Sequence, residues 1–171
     1  MTPPRVVIQA DRKALNPITV DAPRTAWRIL GWFGLLVAVV GFVDVALQWY
    51  PASFKSPEWE FGTVAGSLAT LPLLTIGLTA LLAAFLARGE RTGVLTMAVV
   101  FVVLVAFVLG AFLLFLSDVP LALKASAATP MVYTIKKSII RTSVMALGFG
   151  AAYLAAAVVS FRYLFRRLKD V

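Results

Sequence analysis

The chain is predicted to be all-α and polytopic: a transmembrane four-helix bundle with an amphipathic segment before the last helix. Three observations lead there. Hydrophobic residues make up 61% of the 171 and charged residues 14%. Soluble domains hold roughly 45–50% and about 25%, and a short one buries only about two-thirds of its unfolded surface, too little to hide so much apolar area. The apolar residues are gathered into four runs, each long enough, at about 1.5 Å per residue, to cross a hydrocarbon core about 30 Å thick. The cations cluster beside those runs, where the positive-inside rule places them. The formal net charge of +8 is therefore a signal of topology, and no nucleic-acid partner is expected.

The elements follow in order. Residues 1–25 form a basic arm with Pro3, Pro4, Pro17 and Pro23 among Arg5, Arg12, Lys13 and Arg24. No apolar core follows the first few residues, so the arm does not read as a secretory signal. Residues 26–171 form the transmembrane domain. Its first span is 26–48, with Trp27 and Trp32 near one end and Trp49 and Tyr50 at the other, where aromatic anchors sit at the membrane–water interface. Pro51 ends it. In the connection 51–62, two prolines argue against a further apolar element, while Phe54, Trp59 and Phe61 hold the segment against the interface.

The second span, 63–87, contains Pro72, which bends a membrane helix without ending it. The turn Arg88-Gly89-Glu90-Arg91 is so short that the second and third spans must be antiparallel neighbours, and Gly89 suits a helix C-terminus. The third span, 94–116, is almost all Val, Leu, Phe and Ala and is expected to face lipid, with Asp118 and Pro120 ending it. Thr129-Pro130 reads as a helix start, with Thr as N-cap and Pro at the first helical position. From there Met131, Val132, Ile135 and Ile139 share one helical face and Thr134, Lys137, Ser138 and Arg141 the other, an amphipathic stretch suited to the membrane surface. It leads into the fourth span, 142–165, which Arg162, Arg166, Arg167 and Lys169 close.

With both termini in the cytoplasm, eleven of the 16 cations lie inside and five outside, which supports that orientation. The alanine-rich, arginine-biased composition fits the plasma membrane of a bacterium, that is, its inner membrane.

The residue inventory narrows the chemistry. The chain has neither cysteine nor histidine, which rules out axial His for haem b, thiolate iron–sulfur ligation, and Ser–His or Cys–His nucleophiles within it. No phosphate-binding glycine loop, metal-ligand helix or nucleophile elbow is present. No catalytic, cofactor-binding or metal-binding residue is assigned.

Asp44 is the one acidic residue clearly inside an apolar run, on the order of 7 Å from the Trp49 end. A carboxylate costs about 2.5–3.5 kcal/mol at a membrane centre and less at this depth. It is a proton or cation site, or it reaches interfacial water or a lysine such as Lys55, Lys124, Lys136 or Lys137. Glu58 and Glu60 form a close acidic pair expected to stay solvated.

Small residues mark packing faces. On the second span Thr63, Gly66, Ser67, Thr70 and Gly77 fall near one side, and Gly62 and Gly66 form a GxxxG; on the fourth, Gly148, Ala152 and Ala156 recur every four residues, beside Ala151 and Ala155. These two faces are expected to meet inside the bundle; otherwise one of them receives a second copy or a larger complex. The function expected is a non-enzymatic accessory or structural subunit of a membrane complex. Its partners are the lipid bilayer and a membrane protein or further copies of itself. The alternative is a small oligomeric transporter or channel using Asp44.

Overall fold

In the computed structural model, the described residues are 24–52, 56–127 and 131–168. Almost all of the basic arm therefore lies outside them, as do Lys55 and the expected helix start at Thr129-Pro130. The described residues form four helices and no strand: α1 (Arg24–Gln48), α2 (Pro57–Arg88), α3 (Arg91–Ser126) and α4 (Val132–Leu168). All four are long and apolar enough to cross a membrane, as a chain with its backbone polar groups satisfied within each helix must be to survive in lipid. The chain is a small multi-pass membrane protein with an all-α four-helix bundle.

The helix ends differ from expectation at two places. α2 starts at Pro57 rather than near residue 63, because Ser56 is extended and caps it, its side chain accepting a hydrogen bond from the Trp59 N–H at 3.4 Å, with Pro57 in the first turn. The stretch 57–62 is thus helix and not an interfacial coil. α3 does not stop at Asp118 and Pro120 but runs on to Ser126. Pro120 removes one N–H donor, while Val119 packs on the core and Ser126 is buried, so packing carries the helix past the proline. The amphipathic stretch runs straight into the last span, as its sequence suggests: α4 is continuous from Val132, so Lys136, Lys137 and Arg141 ride on its first turns. At about 54–55 Å, α3 and α4 exceed the hydrocarbon thickness, and their joined ends project from it.

The turn between α2 and α3 follows its sequence. Gly89 takes φ 68°, and its N–H donates to the Leu86 carbonyl at 3.1 Å while Glu90 N–H donates to that of Phe85 at 3.1 Å, a Schellman ending that a side chain at 89 would strain. Arg88 fastens it: its Nε donates to the Ala84 carbonyl at 3.2 Å, pairs with Glu90 at 3.3 Å, and its guanidinium lies 5.2 Å from the Phe85 ring centre.

α2 is the hub. Among the described helices α1 packs on α2 alone, whereas α2, α3 and α4 pack on one another. Val64, Leu68, Leu71, Leu78 and Leu82 of α2 meet Val94, Met97, Phe101, Val108 and Phe115 of α3 and Ala146, Tyr153 and Ala157 of α4 in one buried cluster. One end of the bundle is marked by Trp49, the other by Arg88.

Candidate functional site

Polar groups sit at three levels of the bundle. Near the middle of α2 and α4, the fully buried Tyr153 hydroxyl lies 2.6 Å from Thr75 Oγ1, which also donates to the Leu71 carbonyl at 2.7 Å. Because that donation uses the threonine proton, Tyr153 is the donor to Thr75. Phe101 and Phe149 flank the tyrosine ring, with centroids at 6.0 and 6.2 Å. The pair satisfies itself in an apolar surround and locks α2 to α4.

One level nearer the Trp49 end, the Trp49 indole N–H donates to Ser67 Oγ at 2.9 Å, and its ring stands edge-on to Trp59 and Phe107, at 6.0 Å each. Trp49 follows α1, Trp59 belongs to α2 and Phe107 to α3. The indole thus ties the end of the outlying helix to the other two.

Beyond it lie two carboxyl groups. Phe61 stacks on Phe115 at 4.8 Å, and Glu60 of α2 and Asp118 of α3 lie at the same end of the bundle, each twenty-nine residues from Gly89. Asp118 is 7% exposed, and its Oδ2 is buried without a hydrogen-bond partner among the described residues. Both residues lie beyond the apolar runs 63–87 and 94–116. No group of three or more acidic, His or Cys side chains suited to a metal ion occurs among the described residues.

Asp44 is half-buried on the flank of α1 that borders α2, without an ion-pair or hydrogen-bond partner among the described residues. By the antiparallel register it stands level with Thr70. It is not joined to Glu60 or Asp118. Glu60 is half-buried on a stretch of α2 that is already helical.

The packing faces pair differently from expectation. The small side of α2 meets α1, not α4. Gly31, Gly34, Ala38, Gly41 and Val45 form the buried stripe of α1. A Cβ placed on Gly34 would come 2.8 Å from the Gly77 carbonyl oxygen and the Leu81 nitrogen, one on Gly41 2.8 Å from the Leu74 nitrogen, and one on Gly77 would strike the Ala38 backbone. Gly66 lies against the Gln48 side chain, Ser67 is buried, and Thr70 is half-buried with its hydroxyl on the Ser67 carbonyl at 2.9 Å. A Cβ placed on Gly62 or Gly148 would meet nothing within 4 Å. Of the small residues expected to form the packing face of α4, Ala156 turns toward the core, whereas Gly148, Ala151, Ala152 and Ala155 are exposed.

Comparison with known proteins finds no matching family model, no similar curated protein and no similar solved structure.

Proposed function

We propose that this membrane protein is a non-enzymatic subunit of a membrane assembly, and that a further transmembrane helix docks along α4. The observation that carries this reading is the outward turn of Gly148, Ala151, Ala152 and Ala155. Lipid gives membrane helices no hydrophobic reason to associate, so close approach over small residues is their main route to packing. The chain uses that route once within itself, between α1 and α2, and presents a second small-residue face unfilled. The incoming helix belongs to a second copy or to another subunit. The cation distribution supports an orientation with the Arg88 end and both termini in the cytoplasm of a bacterial inner membrane.

The test is the mass of the assembly extracted in a gentle detergent. It is expected to exceed the 18.4 kDa of one chain and to fall to it in Gly148→Leu/Ala152→Leu, whose new side chains enter space open in the single chain. A monodisperse wild-type monomer would sink the reading.

Asp44, half-buried and without an ion-pair or hydrogen-bond partner among the described residues, favours a second reading, a small oligomeric transporter or channel. There Asp44→Asn abolishes cation or proton flux in vesicles while expression is retained, and unchanged flux removes it.

A further inference from the structure

We propose that the exposed face of α4 takes a partner helix carrying carboxylates at the Trp49 end, where they meet Lys137 and Arg141, and that these cations exclude a second copy of the chain packed α4 against α4. The proposal rests on the reading that a helix docks along α4, and it names the chemistry of that helix.

The face is one continuous stripe. At about 100° per residue, Lys137, Arg141 and Val144 fall within roughly a third of the helix circumference together with Gly148, Ala152 and Ala155, and all six are exposed. Along the axis Arg141 stands about 10 Å and Lys137 about 16 Å from Gly148. A helix seated on the small residues therefore passes beside both cations before it leaves the membrane. Because α4 continues without a break from Val132, the cations and the small residues share one rigid rod.

Among the described residues no carboxylate pairs with either cation. The ion pair is Arg88–Glu90, at the other end of the molecule. The other exposed charges on the Trp49 ends of α3 and α4, Lys124 and Lys136, are positive too, and Asp118 is buried. In the proposed orientation this end is the outer one, where cations add nothing to topology.

Symmetry then decides against a like neighbour. Copies inserted in one orientation stand the same way up, so a two-fold pair through this face sets each residue opposite its own twin. Lys137 and Arg141 would meet a second Lys137 and Arg141 at the edge of a low-dielectric layer, and facing like charges reject a partner. A copy turned to present another helix has little acid to offer. Of the carboxylate side chains described at that end, Asp118 is buried and Asp44 and Glu60 are half-buried. A helix of another polypeptide with exposed carboxylates at this level meets no such repulsion and gains charge-assisted hydrogen bonds to the lysine and the arginine.

The chain has no cysteine of its own, so Ala152→Cys reports pairing through this face alone. The probe for an acid-bearing helix is the chain itself with K137E/R141E. The two forms, each with Ala152→Cys and told apart by tags of different mass, are co-expressed in equal amounts in a heterologous bacterial host, so that both insert the same way up, and are oxidised in the isolated membranes. Random pairing yields the mixed disulfide dimer at twice either like dimer. The mixed dimer is expected to exceed each like dimer by about tenfold or more. The excess is expected to shrink in 1 M salt, where the screening length is about 3 Å. Random pairing overturns the proposal and assigns the cations to lipid headgroups, while docking on α4 still stands. No disulfide in any combination removes docking itself, and this inference with it. If K137E/R141E fails to insert, K137Q/R141Q takes its place. Its like dimer is then expected to form about fivefold more readily than the wild-type like dimer, and equal yields overturn the proposal.

Discussion

The bundle is held along two seams built on opposite plans. Between α1 and α2, the buried stripe of α1 reads Gly31, Gly34, Ala38, Gly41, Val45, and backbone lies nearly on backbone. Between α2, α3 and α4, the fill is side chain: leucines, Phe101, Phe115 and Tyr153, with the Tyr153–Thr75 hydrogen bond at its centre. A soluble protein would draw its stability from the second plan, since burying a phenylalanine there removes it from water. In lipid that term vanishes, because tails are as apolar as a core, and both plans are left with contact energy and hydrogen bonds. The difference then lies in tolerance. A seam of side chains can relax around a missing group, whereas a seam of glycines has nothing that can yield to an added one.

The largest expected effect attacks the glycine seam. Gly77→Leu drives a side chain into the Ala38 backbone and is expected to cost about 3 kcal/mol of α1 docking, the upper end for overpacking. A Gly31→Cys/Ala84→Cys pair reports it, because a Cβ at 31 lies 3.4 Å from the Ala84 Cβ, close to disulfide spacing. Cross-linking is expected to fall at least tenfold on adding Gly77→Leu, with helical content retained. Equal cross-linking would mean that the seam yields after all.

The side-chain seam responds less. Phe101→Ala removes roughly 100 Å³ beside Tyr153, and at about 24 cal/mol per Å³ of residual cavity the loss is near 2 kcal/mol, without the transfer term that raises it in water. Denaturation in mixed micelles measures it; a loss above about 4 kcal/mol would show that the tail-versus-core argument is wrong. Tyr153→Phe is milder still. The Thr75 hydroxyl keeps its bond to the Leu71 carbonyl, so no donor is orphaned, and about 0.6 kcal/mol is expected from the same measurement.

The four spans were legible because length and hydropathy alone decide whether a helix can cross lipid. The helix ends were not, because the caps and contacts that extend them lie outside the apolar runs: Ser56 before α2, Val119 and Ser126 beyond Pro120. The seams were harder. The small residues of the second span are visible in the sequence, but those of α1, at 31, 34, 38 and 41, compete for the same partner at a spacing of three and four that fits an antiparallel neighbour. Glu60 and Asp118 look unrelated when each is read as a residue at a helix end. The signal that sets them at one level is the tight turn at Gly89, which fixes the register of everything counted outward from it. Nothing in the sequence orients the Asp44 side chain, which depends on how α1 rotates against α2.

The smallest expected effect is the one that makes the comparison sharpest. Gly148→Leu is the same chemical change as Gly77→Leu, in a helix of the same bundle, yet the new side chain meets nothing within 4 Å. In the single chain it replaces an exposed glycine by a good helix former, so the stability of the monomer is expected to shift by under about 1 kcal/mol, in the stabilising direction. The mixed-micelle denaturation used for the core variants measures this. If Gly148→Leu destabilises the monomer as Gly77→Leu does, α4 is not turned as described and its small face is an internal seam. If the monomer is unharmed while the assembly falls apart, the two glycines divide the labour of the fold between them, one closing the chain on itself and the other leaving room for a neighbour.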